Sequence, residues 1–107
     1  RFSEGLVVDA SADSEEEFLL ETLDTDEGAR RIGELGIGTN PGIDRYIRNL
    51  YFDEKMNGTA HIALGMGFEY LGGTNKSALH WDIVKDLRSG GRIELDGKVV
   101  QENGVWL

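Results

Sequence analysis

The stretch DTDEGARRIGELGIGTNPG, residues 24 to 42, carries glycine at positions 28, 33, 36, 38 and 42. Glycine inside a helix costs roughly 0.5–1 kcal/mol relative to alanine, so this density excludes a helix and leaves a short strand among tight turns. Asn40, Pro41 and Gly42 close the segment with strong turn chemistry. A glycine-rich run also invites a phosphate-loop reading. No lysine followed by Ser or Thr comes after the last glycine, and dinucleotide spacing is missing, so nucleotide binding is not expected.

The rest of the chain reads mostly as strands. EGLVVDASA, residues 4 to 12, alternates into an apolar core, and DSEEEFLLETL after it predicts a helix over about residues 14 to 23, opened by a Ser14/Glu17 capping box. Glu15, Glu16 and Glu17 then occupy a first turn where the helix dipole favours acid. IDRYIRNLYFDEKMNGT is read as a short helix or an irregular connection. TAHIALGMGF and ALHWDIV are apolar strands separated by the glycine loop LGGTNKS, and GRIELDGKVVQENGVWL holds two β-rich runs around the hairpin signal Asp96-Gly97. The expected class is α+β, a largely antiparallel mixed sheet with about two helices.

At 107 residues the expectation is a single domain, residues 1–107, with one core. A formal charge of −9 opposes nucleic acid and anionic membranes, so neither is an expected partner. No apolar run approaches the ~20 residues of a membrane helix, and RFSEGLVV lacks the regions of a signal peptide. The absence of cysteine excludes disulfides, thiolate ligands and cysteine nucleophiles, and with the other features points to a cytoplasmic protein. The sequence begins without methionine and ends on GVWL, which is expected of a piece of a longer protein.

Chemistry concentrates in a few positions. In a strand, residues i and i+2 share a face, so His80 and Asp82 present an imidazole and a carboxylate side by side while Trp81 points away. His61 lies among small and apolar residues in a second strand. Glu34 interrupts an apolar and glycine pattern, and an enclosed carboxylate needs a partner such as a cation. Two histidines, an aspartate and a glutamate suit zinc, cobalt or manganese. The competing expectation is a non-catalytic interaction or dimerisation module in which His61 and His80 are structural; a single-metal hydrolase using His61, His80 and Asp82 is a further one. Asp53, Glu54 and Lys55 read as an exposed charged turn. Ser77 is a poor nucleophile candidate beside His80, and Asp24 and Asp26 lack the spacing of a calcium loop.

Taken together, GELGIGTNPGI, DEKMNGTAHIALG and NKSALHWDIVKDLRSGGRIELDGKVV resemble the C-terminal part of the thermophilic-type metalloaminopeptidases, the family of aminopeptidase T, over nearly the whole chain. The resemblance implies an exopeptidase that removes N-terminal amino acids with two divalent metal ions, acting on peptides with a free N-terminus. Its ligand pattern falls on Glu34, His61, His80 and Asp82, with either Glu34 or the family's glutamate upstream of EGLVV as the candidate for proton shuttling. The family's tyrosine position, seven residues after the first histidine, is Phe68 here. Tyr70, two residues on, shares that face if the strand continues, and is the substitute catalytic candidate. The first ligand glutamate of the family lies upstream of EGLVV, together with an N-terminal domain. The resemblance therefore implies a C-terminal catalytic portion that is inactive alone, partnered by its N-terminal domain and, by likeness, forming a homodimer.

Overall fold

Three two-residue turns punctuate the computed structural model, which describes residues 1–107. Glu4-Gly5, Asp96-Gly97 and Asn103-Gly104 each have positive φ at both positions, at 49° and 75°, 51° and 79°, and 51° and 79°. This is the type I′ shape whose twist matches paired antiparallel strands. The turns join β1 (Phe2–Ser3) to β2 (Leu6–Val7), β6 (Arg92–Leu95) to β7 (Lys98–Glu102), and β7 to β8 (Val105–Trp106). The expected hairpin at Asp96-Gly97 is present, with Leu95 opposite Lys98. The strand expected over EGLVVDASA shrinks to Leu6–Val7, because Glu4-Gly5 is consumed by a turn.

A second three-stranded sheet has the order β3 (Ile32–Ile37), β4 (Thr59–Gly65), β5 (His80–Asp86). Its pairing is antiparallel: the Gly65 amide donates to Arg31 and that of Gly38 to Thr59, while the Met66 amide donates to Leu79 and that of Leu87 to Gly58. The middle strand β4 is the most enclosed, with Thr59, His61 and Ala63 to Gly65 all buried. The two helices, α1 (Glu16–Leu23) and α2 (Leu50–Asp53), complete an α+β fold with small antiparallel sheets, as the sequence led us to expect. No helix is long and apolar enough to cross a membrane.

The chain divides into two compact units, residues 1–34 with 62–82 and residues 35–61 with 83–107. In the first, Val7, Leu23 and Leu64 form the buried core, and Leu19, Leu79 and Trp81 pack against it. Leu19 and Leu23 stand four apart on α1 and so share its inward face, while Phe18 meets Trp81 edge to face at 6.2 Å. The expected capping box does not form. Glu15 adopts a left-handed conformation (φ 56°) ahead of the helix and makes no side-chain cap. The Glu16 carboxylate instead accepts the Ala12 amide at 3.0 Å, holding the incoming chain.

In the second unit, Met56, Thr59 and Gln101 are fully buried. The four residues of α2 are capped by Asn49, whose side chain accepts the Tyr51 amide. Arg88 clamps this unit: its guanidinium forks onto Asp86 at 2.9 and 2.8 Å, donates to the Asp44 carbonyl at 2.8 Å and lies over the Tyr46 ring. Asn57 ties β8 down, accepting from the Trp106 indole and donating to the Gly104 carbonyl.

Candidate metal centre

Strand β5 starts at His80, so His80 and Asp82 fall on one face as the i, i+2 rule requires, with imidazole Nε2 3.4 Å from Asp82 Oδ2. Glu34 comes from β3, with its Oε2 3.3 Å from the same Nε2. Strands β3 and β5 flank β4, so their backbones stand two strand spacings apart, about 9.5 Å. Long side chains span that gap, and the stretch of β4 in this unit supplies Ala63 and Gly65, neither of which is long enough to obstruct them.

The imidazole is oriented from behind. His80 Nδ1 lies 2.9 Å from the Met66 carbonyl, and a carbonyl only accepts, so Nδ1 carries a proton and Nε2 is the ring nitrogen turned toward the two carboxylates. Gly65 makes this approach possible: it has φ 90°, and a Cβ there would lie 2.1 Å from the Leu79 carbonyl oxygen.

Three acceptor atoms, one each from Glu34, His80 and Asp82, thus converge within 4.8 Å of one another. Lone pair facing lone pair is unfavourable unless a proton or cation lies among them. The Asp82 carboxylate is 7% exposed, and its Oδ1 is buried without a protein hydrogen-bond partner. A carboxylate enclosed in this way fits a cation, and an imidazole with two carboxylates is a donor set for zinc or manganese. The backing of the imidazole by a carbonyl is the outer-shell arrangement usual for a ligating histidine.

His61, in the second unit, is buried at 7% on β4. Gly36 leaves room for its ring: a Cβ at position 36 would lie 2.1 Å from both Cε1 and Nε2 of the imidazole. In the same unit the supposed charged turn is only partly exposed. Asp53 is 7% exposed and accepts the Ile47 amide at 2.9 Å, the Glu54 side chain is 15% exposed and pairs with Lys55, and only Lys55 itself is open to solvent. Sequence reasoning missed the enclosure of Glu54 because nothing local to DEK announces it.

Other candidates are placed as follows. β4 ends at Gly65, so the strand does not continue to Tyr70, which sits on a 3-10 turn (Glu69–Leu71) and is 81% exposed. Tyr70 is joined to the centre through Phe68, whose ring is 5.6 Å from Tyr70 and 5.4 Å from the His80 imidazole. Asp24 pairs with Arg30. Asp26 is fully engaged: Oδ1 accepts the Gly28 amide at 2.9 Å and the Ser77 hydroxyl at 2.7 Å, and Oδ2 accepts the Ala78 amide at 2.7 Å. The Ser77 hydroxyl, then the Ala78 amide, hold the Asp26 carboxyl below the usual aspartate value. Ser77, which precedes β5 instead of lying in it, spends its proton on Asp26.

Glu34, His80 and Asp82 together offer the donor set of a candidate metal centre, and sequence similarity supplies the family. The chain belongs to the thermophilic metalloprotease (M29) family, whose model matches residues 1–106. It is similar to aminopeptidase T of Thermus thermophilus, 40% identical over 75 residues, and to aminopeptidase T of Thermus aquaticus, 40% identical over 74. It is also similar to aminopeptidase 2 of Geobacillus stearothermophilus, 39% identical over 71 residues. These matches cover 63–64% of this chain and 17% of each relative, so the matched region is a small part of the curated relatives' length. No solved structure matches the chain.

Proposed function

We propose that the chain is the C-terminal catalytic portion of a metal-dependent aminopeptidase, one domain over residues 1–107 that works with an upstream domain on peptides bearing a free N-terminus. The observation that carries the reading is the convergence of Glu34, His80 and Asp82 with the Asp82 Oδ1 atom buried and unpartnered. Membership of a metalloprotease family and likeness to three aminopeptidases support the same reaction class.

In this reading Glu34, His80 and Asp82 hold one of two divalent ions, zinc, cobalt or manganese, and His61 joins the ligand set on the strength of its motif. A bound divalent ion would supply Lewis acidity and lower the pKa of water. The chain's own groups do the rest. His80 donates through Nε2 because the Met66 carbonyl holds the Nδ1 proton. Glu34 or the family's upstream glutamate would move a proton toward the leaving amine, and carboxylates at the centre attract the ammonium of a peptide N-terminus. Phe68 has no oxygen, and Tyr70 offers the phenol next to it for hydrogen bonding to the substrate carbonyl. We place the protein in the cytoplasm and infer a homodimer for the whole enzyme.

The test is metal binding by the 107-residue chain in zinc-buffered solution, with Asp82→Ala and His80→Ala compared against the parent. A zinc site of one or more per chain that both substitutions abolish is expected, along with no release of amino acid from a leucine anilide. Zinc binding absent, or unaltered by Asp82→Ala, favours a non-catalytic module with structural histidines. Turnover by the isolated chain that His80→Ala abolishes overturns its dependence on an upstream segment.

A further inference from the structure

The geometry points to Asp26 as a positioning residue for His80, acting from a loop outside the metal centre through the segment that leads into β5. The inference rests on the metal-binding reading of His80, and its test separates the two.

The connection is continuous in hydrogen bonds. The Asp26 carboxylate holds residues 77 and 78 by the Ser77 hydroxyl and the Ala78 amide, at 2.7 Å each. Ser77, 7% exposed, uses the same hydroxyl oxygen to accept the Leu79 amide at 3.0 Å. The Leu79 carbonyl in turn accepts the Met66 amide at 2.7 Å, and the Met66 carbonyl takes the Nδ1 proton of His80 at 2.9 Å. Asn75 doubles the tether, donating to the Gly28 carbonyl at 2.8 Å and accepting the Ser77 amide at 3.2 Å. The Ser77 hydroxyl and Ala78 amide thus arrive at His80 committed to Asp26, the Ser77 amide to Asn75 and the Leu79 carbonyl to Met66.

The metal centre does not use Asp26, and solvation alone does not require it to reach across 51 residues of sequence to Ser77. What the contact provides is angular control. Residues 77 to 79 lie outside β5, and the Leu79 carbonyl's bond from the Met66 amide is their one link toward β4, so the sheet ladder alone leaves the rotation of residues 77 and 78 open. A carboxylate accepting on both oxygens supplies that rotation. The imidazole plane follows from it, because the Met66 carbonyl that orients the ring is itself hung from Leu79.

The charge state matters as well as the shape. Asparagine at position 26 keeps one acceptor and turns the other into a donor. One amide orientation sets that donor against the Ala78 N–H, and the flipped one sets it against the Gly28 N–H. No orientation of the asparagine side chain satisfies all three partners.

The experiment compares Asp26→Asn and Ser77→Ala with Asp24→Asn, which breaks the neighbouring Arg30 pair in the same loop without touching Ser77. The imidazole tautomer of His80 is read by 15N NMR in metal-free protein, and zinc affinity by competition with a chromophoric chelator. The parent should show the Nδ1–H tautomer. Asp26→Asn should mix the tautomers and weaken zinc about 10-fold, in line with other outer-shell losses. Ser77→Ala should do the same to a smaller degree, and Asp24→Asn should leave both readouts at the parent's values. A parent-like tautomer in Asp26→Asn overturns the inference, whether or not zinc binds. If the parent binds no zinc yet its tautomer responds to Asp26→Asn, the positioning role stands and the metal reading falls.

Discussion

Replacing Gly36 by alanine should harm the chain through one neighbour, and removing that neighbour should reverse the sign of the effect. Gly36 lies outside the left-handed region, so its backbone accepts alanine. The obstacle is the His61 ring, with Cε1 and Nε2 2.1 Å and Cδ2 2.9 Å from the position of the new Cβ. Carbon contacts settle at roughly 3.5–4 Å, so the ring or the strand must withdraw by well over 1 Å. His61 is only 7% exposed and cannot swing freely to solvent. Overpacking of this kind costs about 1–3 kcal/mol. In a His61→Ala background the clash is gone, and alanine in a strand is then worth about 0.5–1 kcal/mol over glycine. The coupling energy of the two substitutions is therefore about 1.5–4 kcal/mol, well above the ~0.5 kcal/mol scatter of independent sites. Urea unfolding of the four proteins with a shared m-value measures it. A coupling below about 0.5 kcal/mol would refute the close approach of Gly36 to the imidazole.

Gln101 is fully buried with neither end of its amide hydrogen-bonded to protein, so Gln101→Met should stabilise the chain by about 1–2 kcal/mol, and a lowered urea midpoint would contradict this. Gly97→Ala, at φ 79°, should cost about 1 kcal/mol by straining the turn, seen as a fall of roughly 4–8 °C in thermal midpoint. Asp26 and Asp86 both titrate below the usual aspartate value, Asp26 first through the Ser77 hydroxyl and Asp86 first through the Arg88 guanidinium. The unfolded chain therefore takes up protons first on acidification. Stability should hold above about pH 5 and fall through the aspartate range near 4 and below, and Asp26→Asn with Asp86→Asn should flatten that fall.

The pairing of His80 with Asp82 was legible because strand alternation is a local rule, and Asp96-Gly97 because its turn chemistry is contained in two residues. Glu4-Gly5 has the same backbone shape but was not legible, since glutamate in the left-handed region carries no turn signal. The strand through His61 was read correctly in its core and wrongly at its end, where Gly65 takes a positive φ and stops it short of Tyr70. Glu34 stood out as an enclosed carboxylate, but its meeting with His80 depends on β3 and β5 flanking β4, which periodicity does not encode. Asp26 and Glu54 lay beyond reach for the same reason: their partners or their enclosure come from tertiary contact.

The meander β6-β7-β8 occupies residues 92–106 and joins each strand to the next through a two-residue turn, so its contacts are as short in sequence as pairing allows. Hairpins of this sort close in about 1–10 μs. The sheet that carries Glu34, His61, His80 and Asp82 gathers strands from residues 32 to 86, and its ordering waits on longer loop closures. A metal bound by Glu34, His80 and Asp82 would grip the part of the chain whose closure is expected last. Its stabilisation should therefore appear as slower unfolding, with the folding rate little changed, and it would protect the finished chain more than it guides the nascent one.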